Sequence, residues 1–144
     1  MEKVLIEFIN TMDISLKKLQ EEVGDRSGFS KLTIHQLQYI DAIYSLGNPA
    51  ISEIAHRLKI TKASVTFGVQ KLITLGYAIK TQSRQDKRVF HVSLTPAGET
   101  LIKAKYQALK EYGAFIQGAL SEDEARQFES VLRKLVKRFE QTVY

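Results

Sequence analysis

Cysteine is absent from all 144 residues, which excludes disulfides, thiolate metal sites, thiol redox sensing and cysteine nucleophiles. No apolar run approaches the roughly 20 residues of a membrane span. Glu2 and Glu7 interrupt the first apolar stretch, so the N-terminus does not read as a signal peptide. A cytoplasmic protein with no membrane partner is expected. The 8 glycines form neither a Gly-x-Gly-x-x-Gly run nor a phosphate loop ending in Gly-Lys-Ser/Thr. No serine sits in a strand-to-helix nucleophile elbow. His35, His56 and His91 fall in three separate elements without metal-ligand spacing, so no metal is expected. Paired carboxylates occur at Glu21-Glu22 and across Glu122–Glu124, where helix ends and caps account for them. These absences leave no catalytic residue to name and no cofactor to expect. An enzyme is not indicated.

What remains is a chain of one domain's length with a normal core-forming composition, 44% hydrophobic and 26% charged. Its net charge of +5 is unevenly placed. Residues 1–30 carry −2, residues 31–49 carry 0 and residues 96–144 carry +1. Residues 50–95 hold 8 basic side chains against only Glu53 and Asp86, a net +6. A basic segment between near-neutral ends is the electrostatic footprint of a surface that meets phosphate, although a solvated basic face looks the same by charge alone.

The periodicity gives the order of elements. Leu5, Phe8, Ile9, Met12, Leu16 and Leu19 recur at helical spacing, and Gly24, Asp25, Ser27, Gly28 and Ser30 read as the loop that ends this helix. Thr33 and Gln36 form a capping-box pattern before the stripe Leu37, Ile40, Ile43 and Tyr44, which stops at Gly47. Asn48 then reads as a cap with Pro49 as the first residue of a short helix, whose inward face is Ile51, Ile54, Ala55 and Leu58. Thr61 caps a further helix with the stripe Val65, Val69 and Leu72, closed by Gly76. The period then changes from 3.6 to 2. Residues 77–82 and 89–94 alternate around Ser83-Arg84-Gln85-Asp86-Lys87-Arg88, the pattern of a β-hairpin with a basic tip. Thr95-Pro96 opens a helix carrying Leu101, Ile102, Leu109, Tyr112, Phe115 and Ile116. Ser121–Glu124 is a second capping box, ahead of Phe128, Val131, Leu132, Leu135, Val136 and Phe139.

This order predicts a mainly α fold with a small β-hairpin wing (α+β), in which a winged helix-turn-helix is flanked by N- and C-terminal helices. Apolar stripes of that length exceed what so small a domain covers. Leu5, Phe8, Met12, Phe128, Leu132, Leu135 and Phe139 are therefore expected at an interface between two copies of the chain.

With Val65, Val69 and Leu72 facing inward, the 61–76 helix turns Ala63, Thr66, Phe67 and Gln70 outward, with Lys62, Ser64 and Lys71 on the flanks. Such a face suits the major groove of double-stranded DNA. There glutamine pairs with adenine, while threonine or alanine touches a thymine methyl. The helix N-terminus with the Ser64 hydroxyl suits a phosphate. At the hairpin tip Arg84, Lys87 and Arg88 converge around Asp86. A guanidinium there suits a narrow minor groove, and Asp86 is placed to hold an arginine by a bidentate pair. The same residues also describe a solvated helix face and a plain charged turn. Tyr39, Tyr44, Tyr106 and Tyr112 suit either an effector pocket or a packed interface.

Ile51 to Leu58, Thr61 to Gly76-Tyr77, the Ser83–Arg88 tip and Leu94-Thr95-Pro96-Ala97-Gly98 together resemble the MarR family of winged-helix transcriptional regulators. The Asp-Lys-Arg tip and the Leu-Thr-x-x-Gly exit are the more specific parts, and the order of flanking helices agrees over the whole chain. The resemblance implies one domain over 1–144, with a DNA-binding region at 31–95 and dimerisation helices at 1–24 and 96–144. It implies a homodimer on a roughly palindromic operator, a recognition helix at 61–75, Arg88 in the minor groove and Asp86 bracing the wing. A sequence-specific regulator, a repressor in its simplest form, is the expected function. Release by a small organic effector, bound between the dimerisation helices and the winged helix, is compatible with it. Phe67 stands where the family often has a polar or basic residue, and Gly68 where it often has a larger apolar one. Base preference therefore does not carry over, and Phe67 also suits a winged-helix module that binds protein instead of DNA. The family's oxidant sensors use cysteine, which this chain lacks.

Overall fold

The computed structural model describes residues 1–27 and 32–143. The elements are α1 (Glu2–Ser27), α2 (Ile34–Leu46), α3 (Ile51–Leu58), α4 (Lys62–Thr74), β1 (Ala78–Gln82), β2 (Phe90–Leu94), α5 (Pro96–Gly118) and α6 (Glu122–Val143). Two compact units divide the chain, Met1–Ala108 and Leu109–Tyr144.

In the first unit, α2, α3 and α4 pack against the hairpin around Ile40, Ile43, Ile54, Val65, Val69, Leu72 and Val92, all at most 1% exposed. Leu101 and Ile102 complete this cluster, so the first turns of α5 belong to the winged-helix core. The capping expected at α2 is present: Gln36 N–H donates to Thr33 Oγ1 and Thr33 N–H to Gln36 Oε1. Gly47 ends the helix in the left-handed region at φ +67°. Thr61 caps α4 through the Ser64 N–H.

Two boundaries differ from the sequence reading. The first helix does not stop at Gly24 but runs to Ser27; one glycine costs a helix only about 1 kcal/mol. Gly28 and Ser30 lie outside the described residues. Asn48-Pro49 does not start α3. Asn48 adopts φ +54°, the Pro49 carbonyl accepts from Val92 N–H, and Ala50 bridges His91. The chain is extended here along the edge of β2, so the cap falls to Ala50, whose N–H donates to the Glu53 carboxylate at 2.7 Å.

The hairpin is antiparallel, with Ala78 opposite Leu94 and Lys80 opposite Val92. Its core face carries Ala78 and Val92, while Ile79 is 50% exposed. Ala78 takes the inward position of β1, opposite Leu94, and α5 closes tightly over this end of the hairpin. A Cβ on Gly98 would stand 2.2 Å from the Tyr77 carbonyl oxygen. Thr95 fixes the approach: its hydroxyl donates to Gly76 O at 2.6 Å and its N–H to Tyr77 O at 3.0 Å.

In the second unit, the end of α5 and the start of α6 border an apolar groove of about 640 Å³ lined by Gly113, Ile116, Leu120, Phe128 and Leu132. Ser121 and Glu124 form the expected capping box, and these Ser121 contacts hold the Glu124 carboxyl below its ordinary range. No described helix is long and apolar enough to cross a membrane.

Candidate nucleic-acid interface

Every side chain assigned to the outward face and flanks of α4 is exposed: Lys62, Ala63, Ser64, Thr66, Phe67, Gln70 and Lys71. Their hydrogen-bonding capacity is unequal. Thr66 donates its hydroxyl proton to Lys62 O at 2.9 Å, so it has none left for a base. The Ser64 hydroxyl pairs with Thr61 Oγ1 at 2.9 Å. Gln70 is exposed, and its side-chain amide carries both donors and an acceptor, as a bidentate adenine contact needs. Phe67 is 65% exposed, with the Lys71 ammonium 4.5 Å from its ring centroid.

Gly68 also has an explanation. A Cβ there would lie 2.3 Å from Tyr39 Cε2, because the Tyr39 ring occupies the volume that a larger residue would fill. Its hydroxyl donates to Ser64 O at 3.2 Å, which ties α2 to the first turn of α4. Partial burial raises the Tyr39 pKa, keeping this donor protonated.

The wing tip is an ordered turn. Ser83 Oγ accepts from the N–H groups of Gln85 and Asp86, and Gln82 Nε2 donates to Lys87 O. Asp86 grips Arg88 three ways: Oδ1 accepts from the Arg88 backbone N–H at 3.0 Å and from Nε at 3.2 Å, and Oδ2 from Nη2 at 3.2 Å. The guanidinium and this N–H hold the Asp86 carboxyl below its ordinary range. The Arg88 side chain is nevertheless 91% exposed. It is oriented and open at once. Arg84 and Lys87 are exposed beside it.

The wing and α4 meet at a cleft of about 290 Å³, lined in part by Ser52, Lys62, Thr66, Lys80 and Arg88. Of these, Lys62, Thr66 and Arg88 are among the residues the sequence reading singles out. Ser52 and Lys80 are not, since only the strand register carries Lys80 to the cleft, where its ammonium lies 4.2 Å from the Phe90 ring centroid. Three cations around one concavity focus positive potential there.

The interface residues of the flanking helices stand open. Leu5, Phe8, Leu132, Leu135 and Phe139 are 42–63% exposed, and Met12 and Phe128 are half-buried. The side chains of Leu16 and Leu19 lie outside the described residues. Of the four tyrosines, the structure brings two together: Tyr44 and Tyr106 have ring centroids 5.9 Å apart. The Tyr106 hydroxyl donates to Asp41 at 2.6 Å, which raises its pKa, and Lys105 lies 3.5 Å from the same carboxylate. Tyr39 lies under α4, and Tyr112 stacks on Phe115 in the second unit. Among the described residues no three His, Asp or Glu side chains form a group that could hold a metal.

A model of the MarR family matches residues 30–89. Among curated proteins, the HTH-type transcriptional regulator PapX of Escherichia coli is 29% identical over 126 residues, covering 85% of this chain and 76% of that protein. The HTH-type transcriptional repressor MdtR of Bacillus subtilis is 26% identical over 124 residues, covering 86% and 80%. Among solved structures, Streptococcus pneumoniae FabT in complex with DNA aligns with a TM-score of 0.78 at 24% identity, covering 99% of both chains. The complex of MepR from S. aureus with DNA aligns at 0.73 and 19% identity, covering 96% of this chain and 99% of that one. These likenesses extend beyond the winged region to the flanking helices.

Proposed function

We propose that this chain, a member of the MarR family of winged-helix transcriptional regulators, is a sequence-specific DNA-binding repressor. It acts as a cytoplasmic homodimer on a palindromic operator. One observation carries the reading. Arg88 is clamped by Asp86 yet almost wholly solvent-exposed, at the edge of the cleft that Lys62 of α4 also lines. A charge held rigidly in water spends ordering entropy without gaining burial, which is useful where a polyanion will meet it. In this reading α4 enters the major groove, and Lys62, Lys71, Arg84 and Lys87 take phosphates. Arg88 enters the adjacent minor groove, where the narrow walls concentrate negative potential. DNA-bound structures of FabT and MepR, which share the fold, support the placement.

Two copies joined through Leu5, Phe8 and Met12 of α1 and Phe128, Leu132, Leu135 and Phe139 of α6 would cover the apolar stripes that one chain leaves open, and would present two wings to two half-sites. Repression follows most simply from occlusion, and MdtR is a repressor by name. We assign a small organic effector to the Tyr44–Tyr106 pair with Asp41 and Lys105, where α2 meets α5 and aromatic and polar groups lie side by side. The test is selection of bound duplexes from a random-sequence library by the purified protein. Recovery of an inverted repeat is expected; recovery of no enriched sequence would overturn the proposal. The 65% exposure of Phe67 favours a second reading, a winged-helix module that binds protein. Under that reading the same selection yields nothing.

A further inference from the structure

The α4 helix carries one residue that hydrogen bonding to bases does not explain. Phe67 projects from the face that holds Gln70, and its ring has no polar atom to offer a base edge. Its position is nonetheless defined. In a helix, side chains lean toward the N-terminus, so Lys71, four residues on, lies back over Phe67, with its ammonium 4.5 Å from the ring centroid. The inner side of the helix is closed to the ring, because Val65 and Val69 are packed there and Tyr39 fills the space at Gly68. A phenyl group fixed outward, with a cation on one face, presents its remaining surface to whatever enters beside Gln70.

On the edges of bases in the major groove the apolar feature is the thymine 5-methyl group; the rest of the pattern is donors and acceptors. Thr66, the neighbouring residue able to touch a methyl, has its hydroxyl turned to the Lys62 carbonyl and adds no donor. We propose that Phe67 is a specificity-determining residue that reads a thymine 5-methyl group, that Lys71 is its positioning residue, and that each operator half-site carries a thymine adjacent to the base pair contacted by Gln70. This rests on the DNA-binding function proposed above, and the experiment separates the two.

The probe is the 30-bp duplex that wild-type protein selects from a random library, together with versions in which each half-site thymine is replaced singly, and symmetrically, by deoxyuridine. That exchange removes only the methyl. Binding is measured at one fixed salt concentration for wild type, Phe67→Ala, Phe67→Leu, Lys71→Met and Lys71→Arg. Burial of one methyl corresponds to about 4-fold in affinity. One thymine position should therefore weaken wild-type binding about 4-fold per half-site, and the same exchange should leave Phe67→Ala binding unchanged. Phe67→Leu should retain part of the ratio. Lys71→Arg, which keeps a cation over the ring, should preserve the thymine-to-uracil ratio, and Lys71→Met should reduce it; a lysine serving only a phosphate would lower both affinities and leave the ratio alone. Thermal melting should be the same for Phe67→Ala and wild type, since the residue is exposed. Wild-type binding insensitive to every exchange, or full sensitivity retained by Phe67→Ala, would overturn the inference while leaving DNA binding intact. Failure to select any duplex would overturn the DNA-binding function and this inference with it.

Discussion

Replacing Gly98 by alanine probes the junction that fixes the wing to the helix after it. In an exposed helix interior, alanine is favoured over glycine by about 1 kcal/mol, so propensity alone predicts a gain. At this position the added Cβ would stand 2.2 Å from the Tyr77 carbonyl oxygen and 3.3 Å from Leu94 Cβ. Carbon and carbonyl oxygen sit about 3.3 Å apart at closest ordinary approach, so the start of α5 must retreat from Tyr77 by about 1 Å. Two hydrogen bonds cross that gap, from Thr95 Oγ1 to Gly76 O at 2.6 Å and from Thr95 N–H to Tyr77 O at 3.0 Å. Both would stretch past hydrogen-bonding distance, at about 1 kcal/mol each. Leu101 and Ile102, fully buried on the same turns, would shift within the core at a further cost of about 1–3 kcal/mol. After the propensity gain, the net loss is about 2–4 kcal/mol. Gly113 in the same helix has nothing within 4 Å of its Cβ position, so Gly113→Ala should instead gain about 0.5–1 kcal/mol. Urea unfolding of the two variants beside wild type gives the comparison. A Gly98→Ala protein as stable as Gly113→Ala would refute the account of this junction.

At the wing, Arg88→Ala should cost more operator affinity than Lys87→Ala or Arg84→Ala, as read by titration at fixed salt, because a guanidinium in a narrow groove sees concentrated potential. Asp86→Ala should also weaken binding although it removes a negative charge, since Arg88 then has to be ordered on binding; tighter binding would make the carboxylate a repulsive bystander. The Asp86 carboxyl is depressed from 3.8 by Arg88, so the pair is intact above that value and is lost only as pH falls through the lower folded value. Operator affinity should therefore show no Asp86-linked step between about pH 5 and 8, and a step near pH 5 abolished by Asp86→Asn would contradict the pairing. Gln70→Ala should relax preference at one operator position by about 1–3 kcal/mol, whereas Lys87→Ala should weaken all duplexes alike and shallow the salt slope by about 1. Sedimentation at micromolar concentration should show a dimer, and glutamate at both Leu5 and Phe139 should yield a monomer.

Much of this was legible in the residues because local signals carried it. Thr33 with Gln36, Ser121 with Glu124, and the αL glycine at 47 are caps whose chemistry is complete within four residues. The inward stripe of α4 follows from periodicity alone. Features that depend on distant parts of the chain were not legible. Asn48-Pro49 has the composition of a helix start, but the edge of β2, some 40 residues on by the bridge of Ala50 to His91, claims the Pro49 carbonyl first. In β1 the alternation offers Ile79 as the apolar residue. The pairing with β2 puts Ala78 on the face of Val92 and Leu94 and turns Ile79 outward, and nothing within the strand announces it. At the interface, the exposure of the α4 face was readable from the core stripe, and a bidentate pair of Asp86 with an arginine from the composition of the tip; that the arginine is Arg88 comes from the turn geometry. Lys80 and Ser52 reach the cleft only through the fold, and the space that makes Gly68 fitting is set by Tyr39, 29 positions earlier in the chain.

The central claim is that this surface recognises a DNA sequence through charge and base contacts together. Fluorescence anisotropy of the selected operator, and of a scrambled duplex of equal length and composition, over a salt series tests it most directly. The operator should bind about 10³-fold or more tighter than the scrambled duplex at physiological salt, and both affinities should fall linearly on a log–log plot as salt rises. Equal binding of the two duplexes, or an affinity that salt does not change, would contradict it.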